Sequence, residues 1–115
     1  MERFVENGML LDFYGDLLTD HQKEVYEAAV YRDMSLSEIA DEMGTSRQAV
    51  SDLLHRCDKI LDSYEQKLHL MKKFLNAEEQ LKKIKDLAQE SQDPSRSKEA
   101  LLEIQTIANS LLEDF

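Results

Sequence analysis

Tryptophan is absent, proline occurs once and glycine only three times in the 115 residues. So few turn-formers cannot punctuate a multi-stranded sheet, which leaves helices as the expected elements. A single cysteine, Cys57, allows no internal disulfide and fits a reducing compartment. No stretch approaches the roughly 18 consecutive apolar residues of a membrane span. The first 15 residues, MERFVENGMLLDFYG, have neither the basic leader nor the cleavage site of a signal peptide. The expectation is a cytoplasmic protein with no membrane insertion.

Chemistry-bearing constellations are also missing. His21, His55 and His69 do not fall at metal-ligand spacings with one another or with Cys57, and a zinc site needs about four convergent ligands. Nucleophile triads, phosphate-cradling glycine loops and paired catalytic carboxylates are not seen. Asp41-Glu42 and Glu78-Glu79 read as solvated helix faces, and Lys72-Lys73 and Lys82-Lys83-Lys85 as salt-bridged helix surface. The expectation is a protein that is not an enzyme and takes no cofactor and no metal.

Charge is plentiful and uneven. Acidic residues outnumber basic ones 24 to 14, a formal net charge of −10. Among the segments 1–18, 19–44, 45–61, 62–92 and 93–115, only 45–61 is net positive, with Arg47, Arg56 and Lys59 against Asp52 and Asp58. A free-standing DNA binder usually carries a basic footprint, because phosphate neutralisation supplies most of its affinity. The local balance therefore favours DNA contact and the global balance opposes it.

Helical periodicity organises the chain. A first helix is expected from about Asn7 to Leu18, with Met9, Leu10, Phe13, Leu17 and Leu18 on one face. Thr19 and Gln22 form a capping box before a second helix striped by Val25, Tyr26, Ala29 and Val30. Ser35 and Glu38 form another, opening a short third helix through Met43. Gly44 stands where a helix-ending left-handed residue is needed. Thr45 and Gln48 form a third box at the start of a fourth helix. Three caps at this spacing point to a tri-helical core.

A helix-turn-helix requires two short helices crossing steeply over a tight turn. Ala40 supplies the small residue at the approach, and Gly44 the positive φ four residues later. Ile39, Met43, Val50 and Leu53 fall where apolar clamps onto the core belong. The residues expected to meet double-stranded DNA are Thr45, Ser46, Arg47, Gln48, Ser51, Asp52, His55 and Arg56. Arg47 can pair with guanine or phosphate and Gln48 with adenine. Thr45 and Ser46 at a helix N-terminus suit a phosphate, and Asp52 repels phosphate unless it accepts a cytosine amino group.

Leu54, Cys57, Leu61, Tyr64, Leu68, Met71 and Leu75 then alternate steps of three and four, a narrow heptad seam. Phe74, Ala77, Leu81, Ile84 and Ala88 continue it in a shifted register, so a break is expected near Leu75–Asn76. The seam either packs on the chain's own terminal helices or forms a homodimer interface. A helix near 30 residues, about 45 Å long, overhangs so small a core, which favours the homodimer. Asp93 is expected to cap a last helix with Pro94 at its first position. The organisation is a helix-turn-helix module over 1–62 and a helical extension over 63–115 serving dimerisation, all-α throughout.

The segments LTDHQKEV (18–25) and MSLSEIADEMGTSRQAV (34–50) resemble region 4 of bacterial sigma factors, the module that reads promoter −35 elements. With His55-Arg56 and KILDSYEQKL (59–68), residues 7–70 resemble the YlxM family, small bacterial helix-turn-helix proteins encoded beside signal recognition particle genes. The resemblance implies a regulatory or accessory role in protein targeting. Two functions stay open at this point. One is a DNA-binding regulator. The other is a protein-interaction module whose acidic face, around Glu24, Glu27, Asp41 and Glu42, meets a signal recognition particle component.

Overall fold

A computed structural model describes residues 2–115. Its order is α1 (Arg3–Tyr14), a 3-10 turn (Gly15–Leu17), α2 (Asp20–Val30), α3 (Leu36–Met43), α4 (Arg47–Leu68), α5 (Leu70–Glu90) and α6 (Ser97–Asp114), with no strand among the described residues. The protein is all-α, as its poverty in turn-formers demands. Two of the three capping boxes form. Thr19 Oγ1 accepts from the Gln22 N–H at 3.2 Å while Gln22 accepts from the Thr19 N–H at 3.0 Å. Ser35 and Glu38 do the same at 3.1 and 3.3 Å, so both helices start with two orphan donors satisfied. The third box does not form. Ser46, not Thr45, caps α4, accepting from the Ala49 N–H at 3.1 Å. The reason lies in the turn: the Thr45 N–H donates back to the Ala40 carbonyl at 3.0 Å, which ties Thr45 to the end of α3.

The chain divides into two compact units, Met1–Met71 and Lys72–Phe115. In the first, two clusters share one core. Leu10, Leu11, Tyr14 and Leu18 pack with Tyr26, Cys57 and Leu61. Val25 and Ala28 pack with Ile39, Ala40 and Val50, and Leu53 and Leu54 of α4 touch both clusters. Three tyrosines hydrogen-bond to carboxylates between these helices, Tyr14 and Tyr26 at the core and Tyr31 at the surface. Tyr14 of α1 donates to Glu65 of α4 at 2.6 Å, Tyr26 of α2 donates to Asp58 of α4 at 2.5 Å, and Tyr31, at the end of α2, donates to Asp12 of α1. Each pair of the three helices is thus joined once.

The heptad seam is the main correction to the sequence reading. Cys57 and Leu61 are fully buried within the first unit, and Leu54, Tyr64 and Met71 pack against the same cluster. The seam expected to form a homodimer interface therefore faces the chain's own α1, because α1 supplies Leu10, Leu11 and Tyr14 as an apolar partner. Leu68 is exposed and Leu75 half-buried. The long helix breaks at His69, in the left-handed conformation with φ of 57°, and not at Leu75–Asn76. Glu65 explains the position: its carboxylate accepts from the Met71 N–H at 2.9 Å while the Tyr14 hydroxyl accepts from the Leu70 N–H at 3.1 Å. The start of α5 is capped from outside the helix, so no cap of its own is needed, and the first unit reaches beyond residue 62.

In the second unit α5 runs unbroken past Asn76, and α6 begins at Ser97. Asp93 does not cap α6. Its carboxylate accepts from the Ser95 N–H at 3.0 Å and from Ser95 Oγ at 2.8 Å, a local turn that uses up the cap and leaves Pro94 outside the helix. Among the described residues no helix is long and apolar enough to cross a membrane.

The tyrosine bonds have a measurable consequence. Burial, and then its bond to Asp58, raises the Tyr26 hydroxyl far above its usual value, and Tyr31 is pushed up to about 12. The folded chain holds these protons where the unfolded chain, titrating near pH 10, has lost them. Stability is therefore fully present below about pH 10 and falls as pH rises above it. Tyr26→Phe, which leaves Asp58 without its donor, should cost about 1.5 kcal/mol in urea denaturation at neutral pH. It should also flatten the alkaline loss; an unchanged alkaline slope would assign that loss to other groups.

Candidate nucleic-acid interface

The interface is built from the turn outward. Ile39 and Ala40 of α3 and Val50 of α4 are buried against one another, so the two helices meet through a small and two β-branched side chains. Gly44 closes α3 with φ of 68° and ψ of 37°. A Cβ added there would meet nothing within 4 Å. Glycine is required by the backbone conformation alone, not by crowding.

Thr45, Ser46, Arg47, Gln48, Asp52, His55 and Arg56 are exposed and Ser51 half-buried. At four-residue steps they form two rows along α4, Arg47–Ser51–His55 and Gln48–Asp52–Arg56. Each row spans about 12 Å, two turns of helix. Inside the second row the Gln48 amide donates to Asp52 at 2.9 Å. That bond was not legible as such, since Gln48 was expected to close a capping box. It pins the Asp52 carboxylate and orients the Gln48 amide. Arg47 and Arg56 make no ion pair among the described residues, so both guanidiniums are available to a ligand.

Sequence spacing missed the neighbour of this helix. A half-open cavity of about 230 Å³ lies between α2 and α4, lined by His21, Val25, Met43, Thr45, Ala49, Val50, Leu53 and Arg56. His21 reaches it only because α2 crosses α4, and no local pattern links two residues 35 positions apart. The cavity floor is apolar and its rim carries Thr45 and Arg56.

The acidic residues singled out earlier are spread over α2 and α3. Glu24, Asp41 and Glu42 are exposed and Glu27 half-buried. Arg32 lies 3.9 Å from Glu42 and Lys23 lies 4.0 Å from Glu27, long exposed pairs that offset little charge. Glu24 and Asp41 make no ion pair among the described residues. No group of three or more His, Cys, Asp or Glu side chains converges to hold a metal ion among the described residues.

Residues 1–101 match the family model UPF0122, described as "Putative helix-turn-helix protein, YlxM / p13 like". The chain is similar to a UPF0122 protein of Clostridium kluyveri, 46% identical over 86 residues that cover 75% of this chain and 78% of the relative. It is 43% identical to a UPF0122 protein of Bacillus pumilus over 103 residues, 90% of this chain and 93% of the relative. With the UPF0122 protein YlxM of Bacillus subtilis it shares 42% over 93 residues, 81% and 84% of the two chains.

The turn gives a test of the geometry. Gly44→Ala should cost about 1 kcal/mol in chemical denaturation, the price of a left-handed L-residue, and Gly44→Asn clearly less, since asparagine tolerates that conformation. Equal losses for the two would mean that space, not φ, governs the site.

Proposed function

The chain belongs to the UPF0122 family of YlxM-like helix-turn-helix proteins, and on that premise we propose that it is a cytoplasmic DNA-binding regulator that reads a major groove with the first two turns of α4. One observation carries the proposal: residues 45–61, net positive in a chain at −10, put Arg47 and Arg56 on the exposed side of the second helix, free of ion pairs among the described residues.

The roles follow from the chemistry of each group. Arg47, at the first position of α4, offers a bidentate fork to guanine O6 and N7. Gln48, held by Asp52, presents its amide oxygen and its remaining N–H in a fixed orientation, and Asp52 keeps a free oxygen for a cytosine amino group. The Ser46 oxygen accepts from the helix, which leaves its O–H to donate to a phosphate beside the α4 N-terminus. Arg56 and His55 hold the backbone further along. The acidic remainder of the chain repels phosphate at long range, so non-specific binding is weak and the base contacts decide affinity.

A second reading rests on exposed, unpaired Glu24 and Asp41. In it the acidic face of α2 and α3 seats a basic surface of a signal recognition particle protein, the role that the family resemblance implies.

Fluorescence anisotropy against random duplex and against DNA from around the protein's own gene separates the two. Arg47→Ala should weaken binding to the preferred duplex roughly 10- to 100-fold, the loss of one bidentate base contact. Arg56→Ala should weaken all duplexes alike and lower the salt slope by about one. No binding to either duplex at low salt would overturn the DNA reading and leave the acidic face as the functional surface.

A further inference from the structure

We propose that the α5–α6 hairpin carries a self-association face, on which a second copy of this chain seats about a two-fold axis. The second unit consists of two helices, and two helices enclose no core. Nothing in α5 is buried, and Ala100 is the one buried residue of α6. Even the stripe where the two helices meet, with Ile84 and Leu87 on α5 and Ile104, Ile107 and Leu111 on α6, is only half-buried. Within this unit each helix has one neighbour where a bundle gives it two.

The helices are antiparallel. Asn76, near the start of α5, donates to Asp114 at the end of α6 at 3.3 Å, and Leu87 lines one groove with Ile107. At 3.6 residues per turn, Leu81 and Ala88 lie roughly 80° round α5 from its inner stripe. Leu101, Ala108 and Leu112 lie roughly the same angle round α6, in the same rotational sense viewed along each chain direction. Because the helices run oppositely, equal sense brings both flanks onto one face of the hairpin. On that face Leu81, Leu101 and Leu112 are 57, 55 and 75% exposed.

Three features commit the face to a second copy. Its centre, Ala77, Leu81 and Ala88 with Leu101, Ala108 and Leu112, carries no charged side chain in a chain where 33% are charged, with Lys85 and Gln105 at matching positions on its rim, the depletion that marks the centre of an interface. Alanines alternate with leucines on both helices, so an identical face can mesh with it by two-fold symmetry, large against small. The size also fits. Helices of 18 to 21 residues, each about 10 Å wide, give a hairpin face on the order of 500 Å² in projection and more over its relief. That approaches the roughly 800 Å² per partner of a standard interface. Two hairpins so joined make a four-helix bundle in which every inner stripe is covered. The α4 seam takes no part, since Cys57 and Leu61 already pack inside the first unit.

Sedimentation equilibrium of the full chain tests this, with Leu102 as the control. Leu102 is as exposed as Leu101, at 55%, yet lies about 100° further round α6, turned away from α5 and beyond the edge of the face. The wild-type chain should sediment at twice its 13.4 kDa mass at micromolar concentration. Leu101→Glu and, independently, Leu112→Glu should weaken association at least ~100-fold by placing like charges across the axis, with circular dichroism confirming helix content. Leu102→Glu should remain dimeric. A monomeric wild type overturns the proposal, as does a Leu102→Glu chain as monomeric as Leu101→Glu or a Leu101→Glu, Leu112→Glu pair that both stay dimeric. These outcomes do not depend on DNA, so they stand apart from the test of the DNA reading.

Discussion

Three hydroxyl–carboxylate bonds tie α1, α2 and α4 into a triangle, Tyr14 to Glu65, Tyr26 to Asp58 and Tyr31 to Asp12. A tyrosine is suited to this position because its ring fills an apolar core while its hydroxyl needs a partner. Tyr14 and Tyr26 are almost fully buried, so an unmet hydroxyl there would cost about 1–3 kcal/mol. The geometry is demanding where the apolar contacts beside it are tolerant. Leucines could slide along α4 by a turn at modest cost, but the Tyr14 and Tyr26 hydroxyls reach Glu65 and Asp58 of α4 in one register only, while Tyr31 and Asp12 fix α2 against α1. The position of α4 relative to α1 and α2 depends on that register, and the exposed rows of α4 depend on the position. Glu65 extends the constraint to the chain's break, since the carboxylate that receives Tyr14 also receives the Met71 N–H.

Electrostatics pulls against the helix-turn-helix and is resolved locally. An acidic chain approaching DNA is repelled over about a Debye length, some 8–10 Å at physiological salt. Inside that distance α4 presents Arg47 and Arg56, unpaired among the described residues, and a carboxylate already bonded to Gln48. In the proposed reading, such a surface would bind arbitrary phosphate weakly and select for partners that satisfy Asp52 and Gln48 together. The acidic helices α2 and α3 remain open to a basic partner at the same time, so the two proposed roles compete for no residue.

The heptad pattern illustrates a general ambiguity. Apolar residues at steps of three and four state that one face of a helix must be covered. They do not state by what. From Leu54 to Met71 the cover is α1, whose Leu10, Leu11 and Tyr14 were visible as an apolar stripe but not as the partner of this seam. The register shift to Ala77, Leu81, Ile84 and Ala88 was also visible, and the structure leaves the flank of that second stripe exposed.

What the sequence determined by itself was local: the all-α class, the capping boxes at Thr19 and Ser35, the left-handed Gly44, the small Ala40, the clamps Ile39, Met43, Val50 and Leu53, and the exposure of Arg47, Gln48 and Arg56. Each follows from interactions within about four residues, where backbone stereochemistry and hydrogen bonding leave few choices. Contacts across the chain lay beyond it. The break at His69 rather than Leu75 comes from a carboxylate and a hydroxyl brought from α4 and α1. The move of the cap from Thr45 to Ser46 comes from the closure of α3 on Ala40. Cys57 lies inside the protein because α1 folds over it, a pairing of segments some 45 residues apart. Periodicity specifies that a surface is sticky, and only the folded chain decides which of several sticky surfaces meet, because that choice is made by shape and by the few polar groups that must all be satisfied at once.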